Sequence, residues 1–250
     1  VWVDKHHSVS DARGKVTVTN GTQRLLGAVI GKDPDTVLAV IRADHTLEVK
    51  PLVLRTSPAR LGELCFALGA PLGEFADTMS MGIVSGLNRR LAQGQGRVIE
   101  DVLQTDAAIN HGNSGGPLVD IDGSILGVNT AGIDDAHNIG FAVPSHTVAD
   151  IVPELLEAGA ITRATIGAKL EIRRAASSGA DELVVLETVD ESSPLRAGDI
   201  IREFNGQPLK RRADLMKLLR RDVIAREVPL VIERNGKAQG ISITPQKRRR

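Results

Sequence analysis

A serine set between an asparagine and two glycines can act as a nucleophile. Thr105-Asp106-Ala107-Ala108-Ile109-Asn110-His111-Gly112-Asn113-Ser114-Gly115-Gly116, followed by Pro117-Leu118, places Ser114 in such a turn. Glycines at 112, 115 and 116 tolerate positive φ and let a ligand come close to the main chain. A hydroxyl on a sharp turn, with backbone N–H groups aimed at a developing oxyanion, is what acyl transfer requires. Gly-Asn-Ser-Gly-Gly alone would also suit a hairpin loop. The flanking Gln104–Asn110 and Pro117-Leu118 make the stretch longer than such a loop needs.

The elements that must position this loop read mostly as short strands. Val16-Thr17-Val18-Thr19 and Leu25–Ile30 alternate around Asn20-Gly21, a two-residue hairpin signal. Val37–Ile41, Leu64–Gly69, Met79–Gly86, Gly115–Val119, Ile125–Thr130 and Ile139–Pro144 follow as strand-like runs, with a surface loop expected over Leu91–Gly96. Strands at this spacing point to an antiparallel barrel or sandwich. Ser145 is positioned to cap a helix that buries Val148, Ile151, Val152, Leu155 and Leu156, with Pro153 expected to kink or split it and Gly159 to stop it. From about Arg163 a second unit of strands around a helix begins, with Ile166–Leu170, Leu183–Leu186, Pro229–Ile232 and Gly240–Ile243 as strands and Arg212–Arg221 as the helix.

With 250 residues, one or two domains are expected. Formal charge is zero and the pI about 7.2, so the bulk composition does not favour nucleic acid. The tail Lys247-Arg248-Arg249-Arg250 is the local exception, read as a solvated end rather than a binding arm. Aromatics are few, with four Phe, one Trp and no Tyr, so the cores must be built from Val, Ile, Leu and Ala. The lone Cys65 rules out an internal disulfide, and no apolar run is long enough for a membrane-spanning helix. The sequence opens on Val1 and reads as a fragment or processed product, so targeting signals are uninformative.

The Ser114 segment closely resembles the active-site serine segment of the HtrA (Deg) family of trypsin-fold serine proteases. Gly198-Asp199-Ile200-Ile201, with Asn205-Gly206-Gln207-Pro208-Leu209, resembles the PDZ modules that follow those proteases. The resemblance implies a mostly β chain: a trypsin-like double β-barrel over residues 1–160, then an α+β PDZ domain over 163–250. The first barrel would span about 1–57, the second about 60–144 and the linking helix 145–158. Only six residues precede His7, where the family has two or more strands, so the first barrel is expected to be N-terminally truncated.

The same resemblance assigns roles. Ser114 is the implied nucleophile, and Gly112, Asn113 and Ser114 form the oxyanion hole, with the N–H groups of Gly112 and Ser114 as donors. His7, preferred over His6, is the base. Aligning Gly31–Val40 with the family's Asp-Pro-x-Thr-Asp-Leu-Ala-Val puts the triad aspartate at Val37, which cannot accept the imidazole N–H or stabilise the imidazolium. Asp33 and Asp35 lie close enough to be weighed as substitutes, against a reading as loop acids. His111, where the family has Pro, is either a stray base or a surface residue. Asn129, Thr130, Ile139 and Phe141 would line the substrate pocket, which has no acid on its floor and so suits a small-to-medium aliphatic side chain. Ile166, Gly167 and Ala168 would form a carboxylate-binding loop for C-terminal peptides, with Leu215 and Leu219 as groove walls. No metal or organic cofactor is implied. The implied partners are unfolded polypeptides and C-terminal peptides, with no nucleic acid and a possible homotrimer, in a periplasmic or cell-envelope setting. Weighed against a protease is a pseudoprotease that binds peptides without turnover.

Overall fold

The structure is a computed structural model, and it describes residues 2–5, 14–20, 23–46, 49–70, 77–93, 97–132, 138–175, 181–189 and 193–248. The chain divides into two compact units, Val1–Ile161 and Thr162–Arg250.

The first unit begins with four strands, β1 (Trp2–Lys5), β2 (Lys15–Asn20), β3 (Gln23–Asp33) and β4 (Leu38–Ala43), in one antiparallel sheet of order β1-β4-β3-β2. Asn20, expected to open the Asn20-Gly21 turn, is instead a strand residue paired with Gln23, and residues 21–22 lie outside the described residues. Val37, expected to start the strand-like run Val37–Ile41, is not a strand residue. It closes the tight β3–β4 turn at φ 54, a left-handed conformation that is rare for a β-branched side chain.

Six strands then close into a barrel: β5 (Leu64–Gly69), β6 (Thr78–Gln93), β7 (Arg97–Thr105), β8 (Pro117–Val119), β9 (Ile125–Gly132) and β10 (Gly140–Pro144), in the order β10-β7-β6-β5-β8-β9. Cys65, Ala67, Val84, Leu103, Leu118, Leu126 and Ala142 fill its interior. This core is made of small and branched aliphatics, as the scarcity of aromatics required. The expected loop at Leu91–Gly96 is corrected through Gln93: β6 continues that far, and Leu91 is buried. Its apolar side chain has a place in a core, and a surface loop would have left it in water.

Helix α1 (Ser145–Ala158) covers a second apolar cluster shared by the sheet and the barrel, burying Val148, Ile151 and Leu155 beside Leu38, Val40, Val128 and Val143. Pro144 is the N-cap, not Ser145, and the Ser145 hydroxyl instead donates to the Arg55 carbonyl at 2.8 Å. Pro153 does not split the helix. The carbonyl its missing N–H would have served belongs to Ala149, which is exposed and can be hydrated. Gly159 ends the helix as expected, at φ 70 with its N–H on the Leu155 carbonyl.

In the second unit β12 (Ala168–Arg174), β13 (Asp181–Thr188), β14 (Ile200–Phe204), β16 (Val228–Arg234) and β17 (Lys237–Ile243) form one sheet in that order, with β15 (Gln207–Pro208) beside β14. A separate two-stranded ribbon joins β11 (Ala164–Thr165) to β18 (Gln246–Lys247). Helix α2 (Arg212–Leu218) is shorter than expected, and a 3-10 turn at Arg221–Val223 follows it. Phe204, Leu215, Leu230 and Ile232 centre the core. Asp199 is 1 % exposed. Burial pushes its carboxyl up, but the Arg234 guanidinium and the Arg196 N–H outweigh that and hold it below the usual range.

Candidate active site

The Ser114 turn is built backbone on backbone. Gly112 (φ 100) and Gly115 (φ 89) supply left-handed geometry on either side of Asn113-Ser114. The Asn113 N–H donates to Asn110 O (3.1 Å) and the Gly116 N–H to Asn113 O (3.0 Å), closing two successive turns around the serine. Gly115 N–H and Asn129 O (2.8 Å), and Asn129 N–H and Gly116 O (2.8 Å), stitch the loop to β9. At Gly116 no other residue fits, because a Cβ there would lie 2.2 Å from Leu68 O on β5. Of the three residues assigned to the oxyanion hole, Asn113 is 2 % exposed and spends its N–H inside the turn. Its N–H is therefore not available to a ligand.

The Ser114 hydroxyl donates to the Thr130 carbonyl at 3.1 Å. Attack on a carbonyl carbon requires that the proton be redirected to a base. His7 and its alternative His6 lie outside the described residues, but the strand that leads to them does not. Lys5, the last residue of β1, pairs with Leu38, the first of β4. β1 also runs close to β9, the strand that carries Thr130.

Val37, at the position assigned to the triad acid, is 3 % exposed and belongs to the apolar cluster that holds Leu38, Phe141 and Val143. Asp33 is also buried, and its carboxylate accepts the Thr36 hydroxyl (2.6 Å) and the Asp35 N–H (3.4 Å). That is the bonding of an acid that shapes its own turn. Asp35 is half-buried and His111 exposed.

The four residues assigned to the pocket sit together on β9, on β10 and just before β10. Asn129 is fully buried, and its amide donates to Leu68 O (3.3 Å) and Pro117 O (3.2 Å), bracing β5 against β8. Thr130 is 1 % exposed, Phe141 lies in the Val37 cluster, and Ile139 packs on that cluster half-buried. Asn113 Oδ1, Asn129 Oδ1 and Thr130 Oγ1 are buried without a hydrogen-bond partner among the described residues, which leaves unsatisfied polar atoms around the nucleophile turn.

Two contacts at this site had no sequence signal. The Asp106 carboxylate accepts the Ile83 N–H at 2.7 Å, and the Ser80 hydroxyl donates to Ala108 O at 2.8 Å. They anchor the strand-like approach to Ser114 onto β6, more than twenty residues away in the chain. Asp106 lies inside the quoted motif, but nothing in its spacing shows what it binds.

In the second unit Ile166, Leu215 and Leu219 are core residues at 5 %, 1 % and 4 % exposure, and Ala168 packs against the same cluster. Gly167 (φ 66) donates its N–H to the Thr165 hydroxyl at 3.1 Å and accepts the Val189 N–H at 2.7 Å. β12, which starts at Ala168, is an end strand of its sheet, so it leaves one edge open to strand addition.

A barrel that presents a serine on a glycine turn, followed by a small sheet with one open edge, defines a trypsin-type peptidase unit joined to a PDZ unit. Residues 2–128 match the trypsin-like peptidase domain family and residues 164–244 the PDZ domain family. Protease Do-like 1, chloroplastic, of Arabidopsis thaliana is 34 % identical over 98 % of this chain and 62 % of its own length. Serine protease Do-like HtrA of Bacillus subtilis is 36 % identical, over 94 % and 58 %. Periplasmic serine endoprotease DegP of Salmonella typhimurium is 32 % identical, over 98 % and 54 %. The solved structure of HtrA-type protease AlgW with tripeptide superimposes with a TM-score of 0.83 at 28 % identity, covering 99 % of this chain and 86 % of that one. The chain belongs to the HtrA (Deg) family, and it spans 54–62 % of the length of these three curated relatives.

Proposed function

We propose that the chain is a serine endopeptidase that cleaves unfolded polypeptides through an acyl-enzyme on Ser114. His7 takes the hydroxyl proton and returns it to the leaving amine, and the Gly112 and Ser114 N–H groups hold the oxyanion. Water is the second nucleophile, and the reaction needs no metal or organic cofactor. The observation that carries this reading is the Ser114 turn, with its two left-handed glycines and its bonds to β9. An aliphatic side chain suits the pocket at Asn129, Thr130, Ile139 and Phe141. C-terminal peptides bind the second unit beside Ile166–Ala168. The names of the relatives support a periplasmic or envelope location for a bacterial chain of this kind, and assembly as a homo-oligomer follows family habit.

Val37 supports a second reading, a peptide-binding scaffold with impaired turnover. A buried valine in an apolar cluster cannot orient an imidazole. A fluorophosphonate probe and casein hydrolysis, each measured beside Ser114→Ala, separate the two. Labelling and turnover that vanish in the variant support the protease. No labelling, and turnover equal to that of the variant, leaves the scaffold.

A further inference from the structure

The chain's neutrality conceals a division. Residues 162–250 hold 19 Lys and Arg against 12 Asp and Glu, a formal +7, while residues 1–161 hold 12 against 19, a formal −7. Within the second unit, backbone hydrogen bonds lace three cation-bearing segments together. Ala164 pairs with Lys247, and the Arg248 N–H donates to Arg163 O at 2.9 Å. Arg163 bridges to Arg220, the Ala164 N–H donates to Leu219 O at 3.0 Å, and the Ala225 N–H donates to Pro245 O at 2.9 Å. The fold thus collects Arg163, Arg220, Arg221, Arg226, Lys247 and Arg248 around the short ribbon, against Asp222 and Glu227 in the same segments. Arg221, Arg226, Lys247 and Arg248 are exposed.

We propose that this basic region around the ribbon docks the chain on an anionic phospholipid surface. A cluster of this size attracts a charged bilayer through many weak contacts and needs no shaped pocket. Two other polyanions fit less well. A specific protein partner would call for apolar anchors, yet the exposed large apolar side chains of this unit, among the described residues, are Leu186 and Val189, at and just after the end of β13. Single-stranded nucleic acid would call for aromatic stacking platforms, and the unit's one aromatic residue, Phe204, is fully buried.

The test is co-sedimentation of the full chain with vesicles of phosphatidylcholine alone, and with vesicles containing about 30 mole per cent phosphatidylglycerol, at low and high salt. Binding is expected only to the anionic vesicles and only at low salt. The triple variant Arg221→Gln, Arg226→Gln, Lys247→Gln lowers the partition coefficient by roughly 100-fold. The matched triple variant Lys15→Gln, Arg24→Gln, Lys50→Gln, which removes three exposed cations from the first unit, changes it by less than about threefold. Circular dichroism of both variants confirms that they are folded. Absence of binding by the parent chain, equal losses in the two variants, or tighter retention on polyglutamate or DNA than on the vesicles would each overturn the proposal.

Discussion

Lys5 pairs with Leu38 across β1 and β4, and this register puts the last residue of β1 beside the first of β4. His7 follows Lys5 by two residues and Val37 precedes Leu38 by one. Val37 packs in an apolar cluster with Leu38, Phe141 and Val143.

The nucleophile turn depends on Gly116. Gly116→Ala puts a Cβ into the Leu68 carbonyl at 2.2 Å, so the barrel or the turn must move. Chemical denaturation should show a loss of about 2–4 kcal/mol, with Ser114 labelling abolished. Gly123→Ala is the control: its Cβ meets nothing within 4 Å, although the φ of 79 is still left-handed. It should cost about 1 kcal/mol and leave labelling intact.

Asn129 acts as a brace in this structure, with its amide on two carbonyls inside the barrel. Asn129→Ala strips both carbonyls of a donor and should cost about 2–3 kcal/mol. If Asn129 also shapes the pocket, the same variant changes preference among peptide substrates at temperatures where it stays folded, and a comparison of P1 alanine, valine and leucine substrates measures that.

An acid-sensitive contact ties the segment before the barrel to the barrel itself. Arg55 holds Glu63 in a two-pronged ion pair and also reaches Asp120. The hydrogen bonds from Arg55 outweigh burial and pull the Glu63 carboxyl down to about 2. A carboxyl depressed in the folded state adds stability above its unfolded value near 4.5, and loses that stability as pH falls towards 2. The contribution is at most about 3 kcal/mol. Urea midpoints of the parent chain should therefore drop between pH 5 and 2 by more than those of Glu63→Gln.

The second unit's groove was assigned to Leu215 and Leu219, yet both are core residues. Leu215→Ala should cost about 2–5 kcal/mol of that unit's stability. Fluorescence titration with a C-terminal peptide at low temperature should show whether binding survives while the unit is folded.

Much of the fold was legible because its signals are local. Alternation marked β2 and β3, short strand-like runs marked the barrel strands, Gly159 marked the end of α1, and the glycines around Ser114 marked a left-handed turn. What stayed hidden depends on partners far along the chain. Leu91 looked like loop because the pairing that buries it lies on β7. Pro153 looked like a break because the exposure of Ala149 is not written in sequence. The bracing bonds of Asn129 were hidden too, because only closure of the barrel brings Leu68 and Pro117 to its amide.

In the proposed site Ser114 supplies the nucleophile, and Val37 offers no group to orient its base. The most direct test is kcat/KM for casein in the parent chain, in Val37→Asp, and in Val37→Asp combined with Ser114→Ala. The account predicts a gain of about 10²–10⁴-fold for Val37→Asp, lost completely when Ser114 is also replaced. A folded Val37→Asp chain with no gain, or a gain that persists without the Ser114 hydroxyl, would contradict it.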